Sequence, residues 1–488
     1  MKRPSGPGLV ATALGALFLT YTLIRAVRVP LTCDEAFTGN HWVDRGPLAA
    51  LTFDGPVRSN NHLLNSLLAG ACQGVFGRTP FALRIPNLIA HAVFLVASWR
   101  LLSRVAGGGV ALAGFALLNG NPLLLELFGL ARGYGLALGF VASALLNAVR
   151  AFEVDEIPLR EEAACYGLLV CGVLAQLVVL DVFAAVAATF AVLRFVRLTR
   201  SRAEGRLRRA ARESITIVAA SLCLLATAIP IIVLLRRSGA LDFGGTVGLW
   251  YDTVGSVVRI SILNLSPSFV RATLAALGTA LAALTALAAY RLVRPKAGGR
   301  VFLALFSILV ILCVTIQAQH AFFGARFPEN RIAIVFLPLA VFVFSAACAT
   351  TPAPLDRVAG FAFLVAGLMA LALFARRANL WRSDLWWFDM DNVHMLEDLD
   401  RLRLSRPGAF HSVRLSVTDS MEPSLNWYRR TDEFGFLAPV SHDGPFRAAD
   451  YTFVFGQEEA ETVRRGYRVL ARYPGTGNIL LEPPPSAR

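Results

Sequence analysis

The chain is 488 residues long, 56% hydrophobic and only 16% charged, with a mean hydropathy of +0.57. Soluble globular domains carry about 25% charged residues, so the composition excludes that class and indicates a polytopic membrane protein. The formal charge of +14 does not mark a nucleic-acid surface: acids and bases nearly balance from Ala378 onward, and the basic excess lies among the apolar segments, where topology and anionic lipid call for it.

Apolar runs able to cross about 30 Å of hydrocarbon, roughly 20 residues each, fall near 9–27, 83–102, 108–127, 133–152, 163–180, 182–198, 214–235, 271–290, 301–318, 331–350 and 357–375. They predict a mainly α membrane protein with about eleven transmembrane helices. Met1-Lys2-Arg3 precedes the first run, but no small-x-small cleavage site follows, so this run is expected to remain as the first helix.

The first polar loop, 28–82, holds the stretch Cys33–His62, which opens on Asp34-Glu35 and closes on Asn60-Asn61-His62. Adjacent carboxylates at the exit of a span are costly near hydrocarbon and tend to line a wet cavity or cleft. The plainer alternative is that they cap a short interfacial helix. Leu63–Phe76 carries Asn65, Ser66 and Gln73 and is short for a span, which makes it interfacial or re-entrant. With a cytoplasmic N-terminus, that choice puts both strongly basic connectors inside: Arg194–Arg212 with eight arginines and Arg291–Arg300 with four basic residues. The outer face then gathers the Asp34 loop, Arg84, the turn at Arg132, the loop 236–268, the loop His320–Arg331 and the C-terminus.

Six of the seven cysteines lie in apolar runs and none has metal-ligand spacing. From about Arg376 the composition turns acidic and polar, which divides the chain into a membrane part, 1–375, and a small C-terminal extracytoplasmic α/β domain, 376–488. Within the latter, Val413–Val417 and Tyr451–Phe455 alternate like strands and Glu458–Gly466 has a helical pattern. Arg468–Leu481 resembles a hairpin turning at Pro474-Gly475-Thr476-Gly477. Asp389-x-Asp391-x-x-His394 lacks the central Gly and closing Glu of a calcium loop, so it is expected to be a solvated helix start.

Five motifs follow one another in the first third of the chain. They are Asp34-Glu35, Asn61-His62 before a short helix, Phe81-Ala82-Leu83-Arg84-Ile85-Pro86 opening a span, Glu126, and Ala131-Arg132-Gly133-Tyr134-Gly135-Leu136. The series resembles the GT-C glycosyltransferases, specifically the family 39 group of protein O-mannosyltransferases and the aminoarabinose transferase acting on lipid A. It covers residues 9–200 by motif and the later helices by pattern. The resemblance implies transfer of a sugar from a polyprenyl-phosphate carrier to a glycan, lipid or protein acceptor on the outer side of a bacterial inner membrane. It assigns Asp34 to the acceptor, as the base that takes the hydroxyl proton in a one-step inversion, with Glu35 as an orienting partner.

A departing lipid phosphate gains negative charge, which arginine's planar fork can hold. Arg132 is the leading candidate, followed by Arg84, with Arg326 and Arg331 further on; an interfacial arginine that merely snorkels has the same pattern. Tyr134 is expected beside the site, as are Asn61 and His62. Leu63 follows His62 where the family often has proline, and Asn330-Arg331 stands in place of the family's Arg-Tyr. No metal is required by the sequence, although Asp34 and Glu35 could together hold a divalent ion as in distant GT-C relatives. Partners are the carrier-linked sugar, membrane lipids and the acceptor, with no nucleic acid. The competing class is a multi-pass transporter or lipid-linked sugar flippase, but the chain shows neither an inverted repeat nor paired Gly/Pro-broken helices.

Overall fold

The computed structural model describes residues 6–56, 59–154, 156–200, 206–262, 266–296, 298–405, 412–441 and 444–485. A first long helix, α1 (Gly6–Arg28), leads into the short α2 (Cys33–Thr38), a π turn, α3 (Pro47–Thr52) and α4 (Leu63–Phe76). The bundle continues through α5 (Pro80–Val105), α6 (Gly108–Asn119), α7 (Pro122–Phe128), α8 (Gly133–Phe152), α9 (Leu159–Ala175), α10 (Val179–Arg200) and α11 (Arg206–Arg237). After α12 (Gly255–Ser261) come α13 (Pro267–Val293), α14 (Gly299–Phe323), a 3-10 turn over Asn330–Val335, α15 (Phe336–Thr350) and α16 (Leu355–Arg377).

Local chemistry sets several of these starts. The Thr79 hydroxyl accepts the Ala82 N–H at the head of α5, and the Asn121 side chain accepts two N–H groups at the head of α7, each with proline in the first turn. Pro122 cannot continue the helix that ends at Asn119, so α6 and α7 meet at 61°.

Among the described residues, nine helices are long and apolar enough to cross a membrane, or ten if the bent α6–α7 pair is one span. The expected count of about eleven is therefore not reached on that measure. The run 108–127 is broken, and α9 has 17 residues and opens on Glu161 and Glu162 in its first turn. At about 1.5 Å per residue, the 14 residues of α4 are too short to cross.

One large apolar core fills the middle of the bundle, with Phe94, Leu145, Phe152, Leu169 and Phe302 among its buried members. Leu17, Leu225, Phe361 and Leu368 face outward from α1, α11 and α16, as lipid-facing residues do. Beyond α16 lie α17 (Asn392–Leu404), β1 (Leu415–Val417), α18 (Glu422–Tyr428), β2 (Tyr451–Val454), α19 (Glu459–Arg464), β3 (Arg468–Arg472) and β4 (Ile479–Glu482). They build a four-stranded sheet ordered β1-β2-β4-β3, with β1 parallel to β2 and the remaining pairs antiparallel.

A second core joins this C-terminal region to the first loop. Leu31, Ala36, Val43, Leu83 and Ala131 are buried in one cluster with Leu396, Val417, Leu425, Trp427 and Tyr428. The Leu31 N–H donates to the Tyr428 hydroxyl at 2.9 Å, and a side chain at Gly39 would lie 2.8 Å from the Trp427 ring.

Candidate active site

Asp34 and Glu35 are adjacent on α2 but face different surroundings. Thr32 caps the helix, and Glu35 completes a capping box by accepting the Thr32 N–H. The Glu35 carboxylate also accepts the Thr32 hydroxyl at 3.0 Å, the Ala131 N–H at 2.6 Å, and Arg84 through Nε at 2.8 Å and Nη2 at 2.7 Å. Burial pushes the Glu35 pKa up, but the Arg84 charge and these donors outweigh it and hold the carboxyl below its ordinary value.

Arg84 spends its remaining N–H groups on the carbonyls of Ala26, Val29 and Pro30. Both side chains of this pair are fully buried. Two expectations are corrected here. Arg84 has no N–H left for a phosphate, and Glu35 has neither exposed surface nor an unoccupied oxygen for a substrate. Together they tie the α1–α2 corner to the head of α5 and to the turn before Arg132.

Asp34 instead meets two arginines. Its Oδ2 lies 3.1 Å from Arg331 Nη2 and 3.3 Å from Arg132 Nη2, and the three side chains are 21%, 35% and 2% exposed respectively. Arg132 stands at the head of α8, where Nη1 donates to the carbonyls of Asp34 and Asn60 at 3.3 Å and to the Thr38 hydroxyl at 3.4 Å. Its Nε is buried without a hydrogen-bond partner. A buried donor left unpaired is costly, so the site holds one N–H free to receive an acceptor atom.

Arg331 follows Asn330, whose φ of 53° lies in the left-handed region that asparagine tolerates better than most residues. The Asn330 N–H is fixed by Ser256 Oγ at 2.7 Å. Arg331 Nε donates to the Tyr134 hydroxyl at 3.3 Å, and its guanidinium sits 4.8 Å from the centre of the Trp386 ring.

A relay of side-chain amides holds the Arg132 turn in place. Leu136 N–H donates to Asn87 Oδ1 at 3.0 Å, Asn87 Nδ2 to Asn65 Oδ1 at 2.8 Å, and Asn65 Nδ2 to the Ala131 carbonyl at 3.1 Å. Gly133 allows the closest approach, since a Cβ there would lie 1.9 Å from the Ala175 carbonyl oxygen.

The other expected residues take more distant roles. His62 bonds the Ala175 carbonyl through Nδ1 at 3.1 Å and packs edge-on against Tyr134, with ring centres 5.1 Å apart. Burial and the nearby Arg132 charge keep its pKa well below the ordinary value. Asn61 ties Ala50 to Ser66 and makes none of the contacts to Asp34. Arg326 is exposed beside Gly244, outside the cluster.

Glu126 accepts the Ser383 hydroxyl and the N–H groups of Asp384 and Leu385. The oxygens of Glu35 are taken by Thr32, Arg84 and Ala131, and Oδ2 of Asp34 by Arg331 and Arg132. Among the described residues no three His, Cys, Asp or Glu side chains group as metal ligands.

Asp389 corrects a further expectation. It is fully buried rather than solvated, and its Oδ2 accepts the Cys33 N–H at 2.6 Å, one residue before Asp34. Trp386, Asp389, Thr38 and Asn87 were not foreseen as site residues. Asn87 alone left a signal, as a polar residue inside an apolar run; the others depend on tertiary contacts.

No family model and no curated protein matches the sequence. The chain superimposes on ArnT from Cupriavidus metallidurans bound to undecaprenyl phosphate, with a TM-score of 0.54, 11% identity and 99% of each chain covered. Archaeoglobus fulgidus AglB, an oligosaccharyltransferase in complex with an inhibitory peptide and a dolichol-phosphate, aligns at a TM-score of 0.42 and 11% identity, over 98% of this chain and 74% of that one. The ArnT likeness is one of fold: the helical bundle and the small C-terminal sheet of the chain are arranged as in that structure.

Proposed function

We propose that the chain is a membrane glycosyltransferase that moves a sugar from a polyprenyl-phosphate carrier to an acceptor on the extracytoplasmic side. The observation that carries this reading is the shared contact of Arg132 and Arg331 with one oxygen of Asp34, beside a buried N–H that has no partner. Two guanidinium groups and a spare donor suit a phosphate. The Asp34 carboxylate marks, by its contacts with both guanidinium groups, the position such an anion would take.

On this reading the donor phosphate draws Arg132 and Arg331 away from Asp34, and the released carboxylate then serves the acceptor. The acceptor oxygen bonds to the anomeric carbon as its proton passes to Asp34. The bond from that carbon to the phosphate oxygen breaks with its electron pair on the phosphate. The configuration inverts, and a base so placed contributes about 10²- to 10⁴-fold. The departing phosphate gains charge where the arginines are already aimed, so stabilisation grows along the reaction. Glu35 and Arg84 keep α2 in register without touching the substrate.

The basic connectors of the sequence support the extracytoplasmic placement, and Asp34, Arg132, Arg331 and Asp389 share one end of the bundle. The test is to incubate the purified chain in lipid nanodiscs with labelled undecaprenyl-phosphate hexoses and pentoses and a cell-envelope extract. The expected result is labelled acceptor of inverted anomeric configuration. Retention of configuration, or no transfer from any of these donors, would contradict the reading.

A further inference from the structure

The turn that follows the last long helix reaches the site at three points. At its start, Glu126 of α7 holds Ser383, Asp384 and Leu385, six residues ahead of Arg132. In the middle, Trp386, itself buried, stacks on the Arg331 guanidinium at 4.8 Å. At the end, Asp389 accepts the Cys33 N–H at 2.6 Å, while its other oxygen accepts Ser424 Oγ at 2.7 Å and Asn392 Nδ2 at 3.0 Å.

We infer that Trp386 and Asp389 are positioning residues, through which the C-terminal region sets Arg331 and Asp34 in their working geometry. This rests on the transferase reading above. Cys33 is the first residue of α2, and its N–H is one of the donors that a helix start leaves without an intrahelical partner. Fixing that N–H fixes the direction in which the next residue leaves the backbone. Burial raises the Asp389 pKa to about 8, and either protonation state leaves an oxygen to accept the Cys33 N–H. Trp386 acts on the other partner. Its ring face holds the planar guanidinium of Arg331, which shares Oδ2 of Asp34 with Arg132. One short turn therefore constrains both members of the contact on which the chemistry depends, and misplacements of about 1 Å in such constellations cost on the order of 10²-fold.

The test uses the full-length chain with Asp389→Ala, Asp389→Asn, Trp386→Leu and Trp386→Phe, and Asp34→Asn as reference. Turnover is measured with undecaprenyl-phosphate sugars and binding with undecaprenyl phosphate alone. Asp389→Ala should lower kcat at least about 10-fold with the donor KM within about 3-fold, the signature of lost orientation rather than lost binding. Asp389→Asn should restore at least about a third of kcat, because its amide oxygen still accepts the Cys33 N–H. Asn392 Oδ1, which lacks a partner, can turn to receive the new NH₂.

Trp386→Leu should weaken undecaprenyl phosphate binding at least about 5-fold, with Trp386→Phe close to the parent. Wild-type kcat in Asp389→Ala, or equal losses in the Ala and Asn variants with a matching fall in unfolding temperature, would overturn the inference. Unchanged undecaprenyl phosphate binding in Trp386→Leu would overturn it independently, whether or not a donor sugar is found. An active Asp34→Asn enzyme would sink the transferase reading itself. An inactive one beside a wild-type-like Asp389→Ala would sink only the positioning role.

Discussion

Residue by residue, the site divides its charges between structure and chemistry. The Glu35–Arg84 pair is fully buried with its donors and acceptors engaged, so removing one partner leaves the other uncompensated. Glu35→Gln should destabilise the chain by about 3–5 kcal/mol, read as a fall in unfolding temperature in detergent. The pH dependence has a fixed sign. The folded-state pKa of Glu35 is lowered, so its stabilisation is complete above the ordinary carboxylate value and is lost as pH falls through the lowered one. Unfolding temperatures of the parent and Glu35→Gln should converge on acidification, and a gap that widened instead would contradict the assignment. Arg331→Lys keeps the charge but loses the planar fork and the stacking on Trp386; the donor KM should rise about 10-fold with little change in unfolding temperature. The Thr32-x-x-Glu35 spacing is a capping-box signature, a local signal that marks Glu35 as the structural member of the pair, whereas the contacts of Asp34 with Arg132 and Arg331 are remote in sequence and left none.

Among the elements, the junction of α8, α9 and α4 is the tightest around the site. A methyl group at Gly133 would press into the Ala175 carbonyl, whereas a Cβ at Gly109 meets nothing within 4 Å. Gly133→Ala should therefore cut turnover at least about 10-fold through displacement of Arg132, while Gly109→Ala should leave it unchanged. Equal tolerance at both positions would argue against the packing described. Much of the element level was legible in the sequence. Alternating apolarity located β1 and β2, and the Pro474–Gly477 turn separated β3 from β4, because strand period and turn residues are local signals. The break between α6 and α7 was missed, since hydropathy over 108–127 stays high even though Pro122 is written in the sequence. The amide relay through Asn65 and Asn87 was also hidden, because its partners come from three separate helices.

On the scale of the whole molecule, the C-terminal region belongs to the site and does not merely hang from α16. It shares an apolar core with the first loop through Trp427, Tyr428, Leu31 and Ala36, and it supplies the contacts to Cys33 and Arg331. A chain ending at Arg377 would expose that core, and the expected outcome is an aggregating, inactive protein; a monodisperse, active one would refute the dependence. Composition announced a change of character near Arg376 but gave no hint of this docking, because buried contacts such as Asp389 with Cys33 span several hundred residues of sequence. The measurement that tests the account most directly is Asp34→Asn in the full-length chain, with turnover and undecaprenyl phosphate binding read on one preparation. The account predicts turnover reduced at least about 100-fold with binding retained or tightened, because the carboxylate that occupies Arg132 and Arg331 has lost its charge. Full turnover by Asp34→Asn would contradict it.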